Sequence, residues 1–235
     1  MPDYQVNRIY GEWTWHQSGT IDPARAALII VSMQKLHCYP ESSYRQAVAK
    51  AYGRDLGPWA ARVREQVIPN VALVLEAFRQ HELCVVHVMT GAWRQDRSDF
   101  PPRFRATLER LDQYSKVNYT FGSPELDIVD VLTPLTGELV LRKVTGSSFL
   151  GTGLDQALRN MGMLDVVLTG LSTDGSLLAT AIAGYDHGYR QTLIGDASTT
   201  WDPDTHDLVC ALFKTNWGRV LTSDQIIEEI QRGGH

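Results

Sequence analysis

Long apolar runs and a cysteine framework are both missing from this 235-residue sequence. Nowhere do ~18 consecutive apolar residues occur, which is roughly the length that a membrane-spanning helix needs. The first residues are aromatic and polar, without the basic end and apolar stretch of a secretory signal. The three cysteines are far apart and form no C-x-x-C pair, unlike the framework of a small secreted domain. We therefore expect a cytoplasmic chain without a membrane partner.

Positive charge is scarce as well. Lysine and arginine number 22 against 27 aspartates and glutamates, which gives a formal net charge of −5. Without a basic field, a nucleic-acid partner is not expected. The G-x-G-x-x-G fingerprint and the P-loop are absent, so the sequence implies no cofactor, neither NAD nor ATP. A small-molecule substrate and protein partners remain.

Five short apolar runs predict buried strands. Valine, isoleucine and leucine follow one another in these runs without polar alternation, which is typical of parallel strands covered by helices on both faces. The runs are residues 26–31, 83–89, 138–142, 164–170 and 190–195. A sixth short strand is expected near 218–221.

Amphipathic patterns between the runs predict helices. These patterns cover residues 62–81, 154–161, 173–187, 204–216 and 223–231. The alternation predicts an α/β fold with three layers: a doubly wound, mainly parallel six-stranded sheet with helices on both faces, in the Rossmann-like manner. Two stretches, 38–59 and 91–124, are expected to be long loops with short helical pieces that cover a site or form an interface. We divide the chain into an N-terminal arm, 1–20, and one domain, 21–235.

Polar residues stand at the ends of the predicted strands. Ser32 follows the first strand, Lys143 follows the third, and the fourth continues as T-G-L-S-T-D-G-S over 169–176. In an open parallel sheet the ligand crevice lies at these carboxyl ends, where the strand order reverses. We expect the functional site there.

The strand ends and their flanks carry ordered motifs. They are similar to A-L-x-x-x-D-M-Q, to G-D-x-x-x-x-K-x-x-x-S-x-F-x-G-T and to G-x-x-T-D-x-C-V-x-x-T-A-x-x-A-x-x-x-G. The matching segments are residues 25–34, 137–152 and 170–188, and Gly195-Asp196-Ala197 followed by His206 continues the pattern. The chain thus resembles the isochorismatase-like cysteine hydrolases, which include nicotinamidases, N-carbamoylsarcosine amidases, ureidoacrylate amidases and isochorismatases. The resemblance spans about residues 21–226 and implies a homodimer or homotetramer.

The resemblance also implies a catalytic set, and two of its three positions differ here. The aspartate general base of the family falls on Ser32 and its nucleophilic cysteine on Ser176, while its lysine matches Lys143. In ordinary members the aspartate takes the thiol proton, the lysine steadies the charge, and the thiolate attacks a carbonyl or nitrile carbon. Members without the cysteine use the aspartate as an acid on a vinyl ether, a route that Ser32 also removes.

Five further residues are candidates for substrate binding. The resemblance places the oxyanion hole at backbone amides near the nucleophile, beside a cis peptide that maps near Leu171 and Ser172, with Gly175 adjacent. Gln34 belongs to the first motif, and His87 is predicted to lie at the end of the second strand. A histidine at such a position is more often a satisfied, half-buried residue than a substrate contact.

The substitutions leave two hypotheses open. A serine hydroxyl is far less acidic than a thiol, and Ser32 cannot hold a proton in transit. A buried Lys143 without a counter-charge should have a lowered pKa, and its neutral amine could serve as the base for Ser176. One hypothesis is therefore a hydrolase with a non-standard Ser/Lys/Ser site, acting on a small carbonyl, amide or enol-ether compound of secondary metabolism. The alternative is a catalytically silent homologue that binds a small molecule or serves as a structural partner.

Other chemistry-bearing residues carry weaker signals. His37 and Cys38 follow Ser32, but no carboxylate-x-histidine triplet accompanies them, so no metal site is expected. Aromatic residues of the 91–124 stretch could line a pocket wall, although at least half should be ordinary packing; they are Trp93, Phe100, Phe104, Tyr114, Tyr119 and Phe121. Four arginines there could hold a substrate carboxylate or simply be solvated. They are Arg94, Arg97, Arg103 and Arg105.

Overall fold

A computed structural model of the protein describes residues 19–233. The predicted arm, 1–20, therefore lies outside the described residues except for its last two positions. Six parallel strands form one sheet in the order β3-β2-β1-β4-β5-β6. Their bounds are β1 Ala26–Val31, β2 Cys84–Thr90, β3 Leu139–Lys143, β4 Asp165–Leu171, β5 Arg190–Thr199 and β6 Arg219–Leu221.

Helices connect the strands, and most follow the predicted patterns. They are α1 Lys35–Cys38, α2 Ser43–Tyr52, α3 Gly57–Arg62, α4 Ile68–Gln80, α5 Pro102–Leu111, α6 Leu154–Asn160, α7 Leu178–Asp186, α8 Pro203–Asn216 and α9 Ser223–Gly233. A π-helical turn, Val63–Val67, joins α3 to α4, and another, Thr173–Leu177, precedes α7. Short 3₁₀ turns lie at Pro23–Arg25, Pro124–Leu126 and Asp130–Leu132.

Burial explains why β1 and β4 lie at the centre of the sheet. Every residue of both strands is buried, whereas β3 and β6 at the edges are largely half-exposed or exposed. Side chains alternate along a strand, so Leu28 and Ile30 face the core beneath α4 and α9, while Ala27 and Ile29 face the core beneath α6, α7 and α8. The two cores confirm the predicted three layers.

The two stretches expected to be loops contain more helix than predicted. Each carries a ten-residue helix, α2 in the first and α5 in the second. A third apolar cluster binds them together and includes Val48 of α2, Leu108 of α5 and Tyr119. This layer covers the carboxyl edge of the sheet. The sequence predicted only short helical pieces in these stretches, whereas both ten-residue helices contribute apolar residues to this shared cluster.

Strand β5 also differs from the prediction, because it continues to Thr199 and not only to 195. The register shifts between Leu168 and Gly170 of β4, and pairing resumes at Ser198 and Thr199. Those last residues bring β5 to the edge where β1 and β4 end. The strand order reverses between β1 and β4, which is where a ligand crevice is expected.

Candidate active site

A cavity of about 460 Å³ opens at the carboxyl ends of the central strands. Ser32 and Thr90 line it after β1 and at the end of β2, and Thr199 lines it at the end of β5. Residues of α2, α3 and the 91–124 stretch close the opposite side. The volume falls within the ordinary range for small-molecule sites.

Close contact of β1 and β4 shapes the floor of this cavity. Gly170 has a φ of +107°, and a Cβ there would lie 2.2 Å from the carbonyl oxygen of Val31. Only glycine permits this approach. The peptide bond between Leu171 and Ser172 that follows is cis, at the position that the family resemblance implies.

Ser32 makes its polar contact with β2. Its Oγ lies 2.7 Å from Oγ1 of Thr90, and its backbone N–H donates to the carbonyl of Val88 at 2.8 Å. The residue is 3% exposed and has a φ of +54°. The described contacts of Ser32 include neither Lys143 nor Ser176.

Lys143 ends β3 and is 2% exposed. Its Nζ lies 2.9 Å from the carbonyl oxygen of Thr145, 2.6 Å from that of Gly146 and 3.0 Å from Oγ of Ser176. Among residues 19–233, no aspartate or glutamate oxygen lies within 4.0 Å of this nitrogen. Burial without a counter-charge lowers the pKa of Lys143 to about 7, because desolvation disfavours the ammonium form.

The three oxygens around Nζ suit both charge states of the lysine. An ammonium group donates all three of its N–H groups to them. A neutral amine keeps two N–H groups for the carbonyls of Thr145 and Gly146, and its lone pair then accepts the hydroxyl proton of Ser176. With a pKa of about 7, both states are populated near neutral pH. The arrangement can therefore move a proton between Ser176 and Lys143.

Ser176 lies half-buried in the helical turn Thr173–Leu177 that follows β4. Its backbone carbonyl accepts a hydrogen bond from Oγ1 of Thr180 at 2.6 Å. The same hydroxyl accepts the backbone N–H of Ser148 at 2.9 Å, which ties the turn to the loop after Lys143. These bonds fix the nucleophile candidate against the lysine.

The opposite wall of the cavity is aromatic and contains a second buried cation. Arg45 of α2 is 5% exposed, and its guanidinium carbon lies 4.0 Å from the ring centroid of Trp59 and 4.8 Å from that of Trp201. Its Nε and Nη2 donate to the carbonyl oxygen of His37 at 2.9 and 2.7 Å. Burial lowers its pKa from the ordinary arginine value.

His37 lies between the two cations. Burial, Arg45 and Lys143 together hold its pKa well below the usual histidine range, so the ring is neutral near pH 7. Its Nε2 lies 2.8 Å from the hydroxyl of Tyr119. Burial raises the pKa of the neighbouring Cys38 thiol to about 12, which leaves little thiolate at neutral pH.

Comparison with known proteins identifies the family. Residues 26–225 match the model of the isochorismatase domain. The chain belongs to the isochorismatase family of hydrolases. An uncharacterized isochorismatase family protein of Bacillus subtilis, YwoC, is 24% identical over 166 residues, which cover 71% of this chain and 84% of that protein.

Solved structures of family members share the fold. A cysteine hydrolase from Pseudomonas syringae pv. phaseolicola superposes with a TM-score of 0.75 and 22% identity, covering 92% of this chain and 96% of its own. N-carbamoylsarcosine amidase from Thermoplasma acidophilum gives a TM-score of 0.62 and 26% identity, with coverage of 85% and 97%. The six-stranded parallel sheet and its flanking helices are thus an isochorismatase-like α/β fold.

Within this isochorismatase-family fold, some predicted binding residues reach the cavity and others do not. Leu171, Ser172 and Gly175 line it as expected. Gln34 does not line it. The buried carboxamide of Gln34 instead accepts the backbone N–H of Thr90 at 2.7 Å and donates to two carbonyls, so it clamps the end of β2.

The structure corrects the placement of His87. Strand β2 continues to Thr90, so His87 lies three residues before the strand end and outside the cavity lining. Its Nε2 lies 3.0 Å from Glu138, which also forms an ion pair with Arg79. The histidine belongs to a network on the outer strands, and Thr90 holds the position expected for it.

Only some of the aromatic residues predicted to line the pocket do so, and none of the four arginines predicted there does. Phe104 and Tyr119 line the cavity, Phe100 packs behind them, and Trp93 and Tyr114 are exposed. Phe121 packs against Trp93. The four arginines of this stretch are absent from the lining, and three of them form ion pairs: Arg94 with Asp96, Arg97 with Asp112, and Arg105 with Glu109.

Sequence reasoning missed Arg45, Trp59 and Trp201. Each lies in a stretch without a motif, and they meet only because α2, α3 and the end of β5 converge.

The described residues provide neither a metal-binding cluster nor a membrane-spanning helix. In the part of the chain that the structure describes, no cluster of three or more histidine, cysteine or acidic residues could hold a metal ion, and no helix is long and apolar enough to cross a membrane.

Proposed function

We propose that this isochorismatase-family hydrolase cleaves a small carbonyl, amide or enol-ether compound of secondary metabolism through Ser176 and Lys143, with Ser32 in a supporting role. The observation that carries the proposal is the 3.0 Å separation of Lys143 Nζ from Ser176 Oγ, at a lysine with no carboxylate within 4.0 Å in the described part of the chain. Of the three substrate types, an amide or ester carbonyl fits a serine nucleophile best.

The first half of the reaction forms an ester with the enzyme. The neutral Lys143 amine takes the Ser176 hydroxyl proton as Oγ attacks the carbonyl carbon, and the carbonyl π electrons move to oxygen. When the tetrahedral intermediate collapses, the bond to the leaving amine or alcohol breaks. The Lys143 ammonium returns its proton to that leaving group.

Water completes the cycle. The lysine amine, neutral again, removes a proton from a water molecule that attacks the ester carbon. Collapse releases the carboxylic acid and returns the proton to Ser176. The oxyanion in both halves is proposed to be stabilised by the backbone N–H groups of Thr173, Asp174 and Ser176 at the start of the helical turn that follows β4, since those of Gly175 and Leu177 donate to the Ser172 carbonyl.

Ser32 acts as a hydrogen-bonding residue in this proposal. Its hydroxyl and that of Thr90 line the cavity and bond to each other. Neither can store a proton as a carboxylate does. They can orient the substrate or the attacking water, while the lysine alone carries the proton.

The test measures turnover of amides, nitriles, esters and isochorismate by the wild type and by Ser176→Ala and Lys143→Met. Each variant should lose about 10³-fold or more of the turnover, since the nucleophile and its base act as a unit. Activity of the wild type should rise with pH through about 7, as Lys143 loses its proton. A p-nitrophenyl ester should leave an acyl group on Ser176, detected by intact mass and peptide mapping.

Two controls match these variants. Ser198→Ala removes a buried hydroxyl that bonds to the Ile194 carbonyl within β5, and Lys116→Met removes an exposed lysine. Both should keep full turnover. Full turnover in Ser176→Ala or Lys143→Met would refute the mechanism. Absence of turnover and of any acyl adduct, with tight ligand binding, would favour the silent homologue.

A further inference from the structure

Arg45 lines the same cavity as Ser176, and its charge has no acidic partner among the described residues. Burial of a guanidinium ordinarily requires a carboxylate or phosphate partner. Among residues 19–233, no aspartate or glutamate oxygen lies within 4.0 Å of it. Its side chain instead bonds to one neutral carbonyl, that of His37, and rests on indole rings.

One nitrogen of this guanidinium is left for a ligand. Nε and Nη2 are used by the His37 carbonyl, whereas Nη1 has no hydrogen-bond partner in the described chain. That nitrogen is also not enclosed by protein atoms, and Arg45 lines the cavity. Nη1 is therefore the guanidinium nitrogen that remains available to a ligand in this cavity.

The carboxylate that shares this cavity does not neutralise Arg45. Asp174 is exposed, and its Oδ1 accepts a hydrogen bond from Oγ1 of Thr200 at 2.6 Å. It lies beyond ion-pair distance of the guanidinium. The neighbouring His37 is neutral near pH 7 because its pKa is lowered by burial and by the two cations, and burial raises the pKa values of Tyr44, Cys38 and Tyr119, so these groups are uncharged as well.

The walls around Arg45 favour a flat ligand. The rings of Trp59, Trp201, Tyr44, Phe104 and Tyr119 all line the cavity. Aromatic rings stack on one another or meet edge to face, which adds about 0.5–1.5 kcal/mol per pair beyond burial. A cavity of about 460 Å³ holds one small ring system with short substituents.

We infer that Arg45 is the anion-binding residue of this site, and that the substrates are carbonyl derivatives of small planar or aromatic carboxylates. The free carboxylate bonds to Nη1 of Arg45, and the reacting carbonyl lies at Ser176. A carboxylate fits better than a phosphate, because the single free nitrogen Nη1 can pair one carboxylate oxygen, whereas it would leave most oxygens of a phosphate unpaired. The inference rests on the proposed function, since it names the substrate class of the same cavity.

Calorimetric titration of the full chain with benzoate and with benzamide tests the inference. The two probes have the same ring and differ in charge. Wild type should bind benzoate at least tenfold more tightly, and Ser176→Ala should keep that preference. Arg45→Met should bind benzoate and benzamide within about twofold of each other. Arg97→Met is the control, because it removes an arginine that is paired with Asp112 outside the cavity, and it should keep the preference for benzoate.

Equal binding of benzoate and benzamide by wild type would overturn the inference, as would a preserved preference in folded Arg45→Met. If Arg45→Met lacks a cooperative melt, a crystal structure of wild type with benzoate decides. A carboxylate on Arg45 supports the inference, and a carboxylate on Lys143 or outside the cavity overturns it.

The two proposals fail separately. A preference for benzoate without any acyl adduct on Ser176 would refute the serine mechanism and leave the anion site standing. An acyl adduct with equal binding of benzoate and benzamide would refute the anion site and leave the mechanism standing.

Discussion

Lys143 and Arg45 are both buried, and neither has a carboxylate partner within residues 19–233, yet burial has different consequences for them. The ammonium can lose its proton, and its pKa falls to about 7. A guanidinium stays charged at any pH at which the protein is folded, even with its pKa lowered. The same physical situation therefore gives a base beside Ser176 and a permanently charged anion site at Arg45.

The largest effect is expected from a carboxylate introduced near Lys143, because it should keep the lysine charged and so remove its difference from Arg45. The side chain of Lys143 and the turn carrying Ser176 meet near the ends of β2 and β1, since those strands lie between β3 and β4. Ser32→Asp places a negative charge there, in a left-handed backbone that aspartate tolerates. A nearby carboxylate raises a lysine pKa, so turnover at pH 7 should fall about 10²-fold and its rise with pH should move about two units higher. Steady-state rates across pH measure both.

Ser32→Asn is the matched control for that variant, because it has nearly the same shape without the charge. It should keep turnover within about threefold of wild type. Equal losses in the two variants would attribute the effect to size, and would contradict the view that Lys143 works as a neutral amine.

The pH dependence of the free energy of unfolding tests the difference between Lys143 and Arg45 without any substrate. Lys143 has a folded-state pKa of about 7 and an ordinary value of 10.5 in the unfolded chain. Between these values the unfolded state binds more protons, so the free energy of unfolding rises with pH, by about 1 kcal/mol between pH 7.5 and 8.5. Lys143→Met should lack this rise relative to wild type in urea denaturation at each pH.

Arg45→Met gives the contrasting measurement, because arginine does not titrate in this range. Its stability curve should run parallel to that of wild type between pH 7.5 and 8.5. Parallel curves for wild type and Lys143→Met would instead show that the lysine has the same charge in the folded and unfolded states.

The smallest effect is expected for Ser32→Ala. The change removes the 2.7 Å hydrogen bond to Thr90, whose hydroxyl lines the cavity and can bond to water. Stability should fall by about 0.5–1.5 kcal/mol, and turnover should stay within about threefold. Thermal melts and rates measure the two effects. A loss of turnover as large as that in Ser176→Ala would assign Ser32 a chemical step.

Much of the architecture was predictable from the sequence, and the reason is local. Apolar runs without polar alternation mark buried parallel strands, and β1 and β4, the two most deeply buried, were predicted almost to the residue. The motif positions also placed Ser32, Lys143 and Ser176 at strand ends. The position of His87 was wrong because the end of β2 depends on how far β3 pairs with it, which no local pattern records.

The sequence by itself indicated the family and the sheet, and it has serines where the family resemblance implies an aspartate and a cysteine, since these depend on residue identity and on short-range periodicity. Only the tertiary structure decided what Lys143 faces, because its three oxygen neighbours are brought together by packing and no acidic oxygen of residues 19–233 lies within 4.0 Å of it. The same holds for Arg45, whose aromatic surroundings are brought together from separate segments. Burial lowers the pKa of both groups, and burial is a property of the folded chain that the sequence alone does not show.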